Sequence, residues 1–368
     1  MSAPPFDLPI RLAPYAALAG SQMLHIRPPH RYASTPPSLT GFDPADPERA
    51  RRFLALLARP HVDCPEEAVM LYRDAIVLDG KQVLGRDGTG VGDSFPLYAE
   101  PRHVAWQHDH LAHIAAGDLA TLPEAGPPVV SIFCECAFNL GHLMAEMLPR
   151  LVLLAEMGLR QVRLLLPQEA EPLRGAVEFA LHATGIGAEI IACPAGAAVR
   201  VPALHWVSPV ARHEHRKFET MLRLMERLCA AAPRGDGPTH LYVARPASAR
   251  RPVTNAAAVE QAAVAAGYTV VEPATLPFAA QIGLFAGATR ILGPMGAALT
   301  LAAAMVPGGR MAMLDGGSCD SFFWDLACLR GLDFAWGFTA PVAAYDFGLL
   351  DRPVTVPPDL LAEMLEAA

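Results

Sequence analysis

Residues 290–315, RILGPMGAALTLAAAMVPGGRMAMLD, constrain this chain more than any other stretch. Ile291 and Leu292 lead as a strand into Gly293 and Gly296. The run from Ala297 continues as a helix until Pro307, Gly308 and Gly309 stop it, and residues 311–314 form a second apolar strand. A helix that starts straight after a glycine turn at the carboxyl end of a strand presents unpaired N–H groups and a positive dipole end, which suits a phosphate. The same glycines also let strand and helix pack closely, so the pattern alone leaves both roles open.

The surrounding sequence repeats this grammar. Ahead of the glycine turn lie a strand at 240–244, a helix at 255–266, a strand at 269–271 and a helix at 277–287. Further upstream, strands at 129–134, 162–166, 189–192 and 203–207 alternate with helices at 139–158, 171–183 and 215–231. Such alternation is the signature of parallel sheets. At 368 residues the chain exceeds one ordinary core of about 150 residues, and AAPRGDGPT reads as a linker. The expected fold class is α/β, with two Rossmann-like domains facing across a cleft in a GT-B-type architecture. Residues 1–235 make the first domain, 236–345 the second, and 346–368 a tail helix that crosses back to the first. Residues 1–45 are proline-rich and without period, an irregular wrapping, followed by a short helix from Asp46 that Pro60 ends. Residues 68–90 alternate apolar and polar between turns, as a small antiparallel β elaboration near the N-terminus.

Charge and cysteine usage narrow the partners. Lys and Arg total 29 against 37 Asp and Glu, a net charge of -8 without a basic run, which argues against nucleic acid. No apolar run reaches the length of about 18 residues that a membrane span needs, and the start lacks an export signal. The expected location is cytoplasmic, with peripheral membrane contact left open. The seven cysteines form neither a CxxC pair nor a disulfide framework, and Cys134 and Cys136 read as packing residues. His108, Asp109, His110 and His113 match no named metal site and have no second ligand cluster, so no metal and no cofactor is expected.

Two polar groups stand out. In FNLGHLMAEMLPRLVLLAEMG, Leu140, Leu143, Met147, Leu151 and Leu154 make an apolar helix face. Asn139, His142, Glu146 and Arg150, at spacings of three, four and four, line the other, with Pro149 expected to kink the helix. This row is either a solvated face with a Glu146–Arg150 pair or a set of groups facing a site. The second group is Arg245, Arg250 and Arg251 in VARPASARRPVTN, just after the strand at 240–244. Right-handed crossovers put these arginines, Glu272, Pro294 and Asp315 on the same sheet edge as the glycine turn. Arginine holds phosphate oxygens bidentately and stays charged.

Taken in order, these pieces resemble glycosyltransferase family 61, over roughly residues 129–361. The resemblance rests on Asn139, His142, Leu148, Pro149, Arg150 and Leu151. It continues through Arg245, Arg250, Arg251 and Asn255, then Gly267, Leu276, Phe278, Gln281, Phe285 and Gly293, to Gly296, Ala297 and Leu299. Two positions depart from it: Met295 stands where the family usually has histidine before its Gly-Ala pair, and Ala256 where it usually has glutamate. A thioether cannot donate to a phosphate. The resemblance implies metal-independent, inverting transfer of a sugar from a nucleotide-sugar donor to a glycan hydroxyl. His142 or Glu146 would then be the base, and the Gly296 and Ala297 amides with Arg245 and Arg250 would stabilise the leaving diphosphate. Asp315 is expected to contact base or ribose, and Gln281 either to do the same or to be a buried hydrogen-bonding side chain. Asn139, Arg150, Arg251, Asn255, Gly293 and Met295 complete the expected substrate-binding set. Met295 also motivates an alternative, a non-catalytic relative that binds a nucleotide sugar without turnover.

Overall fold

The structure is a computed structural model, and it describes residues 12–18, 20–85, 87–95, 119–212, 216–233, 237–246, 251–342 and 352–368. The histidine group at 108–113 and Arg250 lie outside the described residues. The chain is mixed α/β with parallel sheets and divides into two compact units, Met1–Pro29 with Pro65–Ala211 and His30–Cys64 with Arg212–Ala368.

In the first unit, Ala198–Val207, Val129–Ser131, Gln161–Pro167 and Gly187–Cys193 lie side by side in that order, all parallel. On the far side of Ala198–Val207 the long strand Glu67–Leu78 pairs antiparallel, from Val69 opposite Val207 to Leu78 opposite Ala198. Gln82–Leu84 and Gly90–Val91 extend that edge, and Ser21–Arg27 adds to Glu67–Leu78 with a bulge between Met23 and His25. The antiparallel pattern expected for 68–90 is therefore present, but it continues the parallel sheet and is no appended layer. Glu67–Leu78 is buried at nearly every position, as a strand covered on both faces must be. Trp206, Tyr72, Met70, Leu165 and Leu204 share its core.

In the second unit the parallel order is Thr269–Val271, His240–Val243, Arg290–Pro294, Arg310–Asp315, Asp333–Phe338 and Ser38–Thr40. Tyr242, Leu292, Leu314 and Ala335 share one core with the helices Ala256–Ala265 and Pro358–Ala367. The helices Glu219–Ala231, Phe278–Ala286 and Phe322–Arg330 pack with the 3-10 helix Ala297–Ala304. The terminal helix does not cross back as expected: Leu360, Leu361 and Met364 seat it on strands of its own unit. The contact division after Ala211 leaves Glu219–Ala231 in the second unit, because that helix packs on Phe278–Ala286 and Ala297–Ala304.

Residues 30–40 are also ordered where irregular wrapping was expected, and the short helix expected from Asp46 is present. Ser38–Thr40 is an edge strand, and Asp46 caps the helix Pro47–Leu57 by accepting from Glu48 N and Arg49 N, each at 3.1 Å. Phe53 on that helix meets the Trp336 ring edge-on at 4.8 Å. Fully buried Lys217 and Asp325 pair at 3.4 Å, and the Tyr32 hydroxyl donates to the same carboxylate. These long-range partners, rather than a local period, order the segment. The helix Phe322–Arg330 was not expected either, since FFWDLACLR is apolar on most sides and carries no stripe.

Candidate functional site

The second unit sets an arginine-bearing turn beside a hollow. Consecutive strands His240–Val243 and Thr269–Val271 run to one side of the sheet, whereas the next, Arg290–Pro294, lies on the other side of His240–Val243. Ligands of open parallel sheets bind in the crevice where the order reverses, outside the carboxyl ends of the strands. Arg245 follows one of these two strands and the Gly293–Gly296 turn ends the other. A Cβ at Gly293 would stand 2.9 Å from the Val243 carbonyl oxygen, and one at Gly296 would stand 2.2 Å from Arg245 Nη1. Gly296 is extended, with φ of 177°, so it is needed for space and not for an unusual backbone. Arg245 Nη1 donates to the Met295 carbonyl at 2.6 Å, which fixes the guanidinium against the turn. Burial, and secondarily the charge of Arg251, lower the Arg245 pKa to about 10, which leaves it charged at neutral pH. The 3-10 helix Ala297–Ala304 begins at this point, tighter than the α-helix expected, with Leu299 N donating to Gly296 O at 2.9 Å.

Beside the turn lies a cavity of about 450 Å³, lined among others by Arg251, Met295, Asp315, Ser318, Thr339 and Arg352. Asp315 is fully buried and its oxygens are engaged by the protein. Oδ1 accepts from Ser318 N at 2.9 Å and Ser318 Oγ at 2.8 Å, Oδ2 from Cys319 N at 3.0 Å and Trp336 Nε1 at 3.1 Å. Burial raises its pKa while these donors oppose the rise. Asp315 thus folds the 315–319 turn that walls the cavity. The Met295 side chain is nearly buried, its Sδ 3.2 Å from Ser318 Oγ.

Gln281 takes the second of its two expected roles, and Asn255 is held by the backbone. Gln281 is buried on its helix and its Nε2 donates to Leu276 O at 2.9 Å. Asn255 Nδ2 donates to Val356 O at 2.8 Å and Oδ1 accepts from Val356 N at 3.0 Å. The carboxamide is thereby committed to the backbone of the C-terminal segment.

In the first unit the polar row surrounds a π turn. Asn139 caps Leu140–His142, accepting from Gly141 N at 2.8 Å. Pro149 has no N–H, so the α-helical ladder cannot run through it. The chain widens to a π-helix at Leu143–Met147, with Leu148 N donating to Leu143 O at 2.8 Å, before Arg150–Glu156 resumes. Such turns recur at functional sites. His142 Nδ1 and Glu146 Oε1 are 3.0 Å apart, with the side chains 20 % and 14 % exposed. Arg150 is buried; its Nε donates to the Glu146 carbonyl at 2.9 Å and its guanidinium lies 6.0 Å from the Trp206 ring centroid. It therefore braces the turn from inside. Burial pushes the Cys134 thiol up to about 12, so its Sγ, 3.9 Å from Glu146 Oε2, stays protonated and can only donate.

The fold is mixed α/β with parallel sheets, compatible with a Rossmann-like architecture, and Arg245 stands at a strand end of its second unit. Residues 140–312, just under half of the chain, match the family model described as Glycosyltransferase 61. That segment is therefore similar to glycosyltransferase family 61. No curated protein matches the chain. The matched segment contains His142, Glu146, Arg150, Arg245 and the Gly293–Ala297 turn, and stops before Asp315 and Arg352. Among the described residues no helix is long and apolar enough to cross a membrane, and no group of three or more His, Cys, Asp or Glu is placed to hold a metal.

Ser318, Thr339 and Arg352 are cavity residues that sequence reasoning missed. For Ser318 and Thr339 no motif marks them. For Arg352 a signal existed: residues 352–355 repeat the tetrapeptide RPVT of residues 251–254.

Proposed function

We propose that the protein transfers a sugar from a nucleotide-sugar donor to a glycan hydroxyl with inversion, and that the two units divide the work as a GT-B pair. The donor diphosphate binds in the hollow of the second unit, where Arg245, Arg251 and the amides at the start of Ala297–Ala304 take up the charge that grows as the sugar leaves. Guanidinium groups in this role do the work of a divalent cation, so the transfer is metal-independent. In the first unit, a His142 that donates through Nδ1 to Glu146 presents Nε2 as the acceptor of the hydroxyl proton, with Glu146 orienting the ring and stabilising its charge. Arg150 and the π turn hold that pair in place.

The observation that carries the reading is Arg245 seated against a glycine turn at the sheet's reversal point, inside the family-matched segment. Purified protein given a panel of nucleotide sugars and glycan acceptors should form product of inverted anomeric configuration, with or without a chelator. Arg245→Ala should lower the rate at least about 100-fold, the scale of losing one oxyanion donor. Transfer that is indifferent to Arg245→Ala, or that stops with a chelator and returns with a metal, would overturn the proposed mechanism.

A further inference from the structure

The tetrapeptide Arg-Pro-Val-Thr occurs twice, at 251–254 and at 352–355, about a hundred residues apart, and the two copies lie against each other in register. Val253 and Val354 form a parallel bridge. Thr254 N donates to Val354 O at 2.8 Å, Val354 N donates to Pro252 O at 2.9 Å, and the Thr254 and Thr355 hydroxyls are 2.6 Å apart. One residue further on, Asn255 grips Val356 through both ends of its carboxamide. Going the other way along the pair, the register brings Arg251 and Arg352 to the same end, and both line the 450 Å³ cavity. Arg251 has a left-handed backbone, with φ of 60°, a conformation that costs an arginine energy and that the pairing sustains.

Two like charges in neighbouring registers repel, and a fold that brings them together gains when an anion lies between them. We propose that the paired RPVT segments form a two-arginine clamp for the donor diphosphate. Arg352 is then a phosphate contact from beyond the family-matched segment, and Asn255 is the residue that positions it. The proposal rests on the reading of the hollow as the donor site and adds what that reading lacks: a second arm, supplied by the chain's C-terminal part. Asn255 here acts through Arg352, without touching the ligand. The clamp also predicts selectivity. Two guanidinium groups match a diphosphate better than a monophosphate, because each can hold its own phosphoryl oxygens.

The test is calorimetric titration of the full chain with UDP, GDP, ADP and CDP and with the corresponding monophosphates. Arg352→Gln should weaken the best diphosphate about 10-fold, monophosphates less than about 3-fold, and reduce the salt dependence of binding, as loss of one exposed charge-assisted contact implies. Arg352→Lys should recover part of the loss. Asn255→Ala should weaken the diphosphate similarly, and the double variant Asn255→Ala with Arg352→Gln should be no weaker than Asn255→Ala alone. Asn255→Asp, which keeps the acceptor for Val356 N, covers the case in which Asn255→Ala does not fold. A diphosphate affinity unchanged in Arg352→Gln but lost in Arg245→Ala would overturn the clamp and leave the donor site standing. Additive effects of the two substitutions would overturn the positioning role of Asn255. Absence of any nucleotide binding by the unaltered protein would remove the donor site itself and the clamp with it.

Discussion

The two polar constellations of this chain are built on opposite plans. In the first unit, histidine, glutamate and arginine follow one another along a single helical stretch, and an irregular π turn sets their spacing. In the second, the working groups come from four separate places: the loop after His240–Val243, the Gly293–Gly296 turn, the 315–319 turn and the segment 352–355. In the proposed transfer the first group moves a proton and the second holds negative charge. The difference teaches that acid–base pairs can be written locally, at i and i+4, whereas an anion site at a sheet edge is assembled from neighbouring strand ends.

The sharpest way to break this contrast is to ask whether the two plans separate kinetically. His142→Ala or Glu146→Gln should cut transfer by about 100- to 10,000-fold, the range for general base catalysis, while calorimetry finds nucleotide affinity within twofold of the parent. Affinity that falls together with rate would deny the division of labour. Next in size is Gly296→Ala. The new Cβ meets the flexible end of Arg245 at 2.2 Å, so the guanidinium moves away while the fold survives. A diphosphate affinity reduced about 10- to 100-fold with a melting temperature within a few degrees is expected, since moving one charged hydrogen bond costs binding more than folding.

Asp315→Asn probes the scaffold beneath the hollow and should destabilise the protein by about 1–3 kcal/mol at neutral pH, because an amide cannot accept from all the donors that a carboxylate does. The pH dependence has a definite sign. A carboxyl whose folded pKa is raised binds its proton more tightly in the folded protein, so its contribution to stability falls as pH climbs from 3.8 through the folded value. Thermal melts of Asp315→Asn across that window should lack this downward component; an identical slope in both proteins would assign it elsewhere. Smallest is Met295→Leu, a volume-conserving change that removes the sulfur contact with Ser318 and should cost less than about 1.5 kcal/mol, with transfer nearly unaltered. A large loss of transfer would give the thioether a role that packing does not explain.

Much of the parallel framework was legible in advance. The alternation predicted strands at 162–166, 269–271 and 311–314 that the structure has at Gln161–Pro167, Thr269–Val271 and Arg310–Asp315, because apolar runs punctuated by glycine and proline are local signals. The spacing of His142 and Glu146 was equally readable, and so was the placing of Arg245 and the glycine turn on one sheet edge, whereas the adjacency of their strands came from the structure. What escaped were elements whose partners are distant in sequence. Ser38–Thr40 becomes a strand only by pairing with Asp333–Phe338, and the buried Lys217 ammonium is met by Asp325 and the Phe322 ring, a hundred residues on. Asp315 shows the same limit at the site: its place at a strand end was clear, but its four donors come from a turn and from Trp336.

By itself the sequence determined the α/β grammar, the glycine turn, the helical dyad and the resemblance to a glycosyltransferase family, since each depends on residues near one another or on a pattern along the chain. Only the tertiary structure decided that Arg150, Gln281, Asn255 and Asp315 support the scaffold, and that Arg352 shares a cavity with Arg251. A side chain's role depends on which backbone groups and charges surround it, and those come from segments up to a hundred residues away.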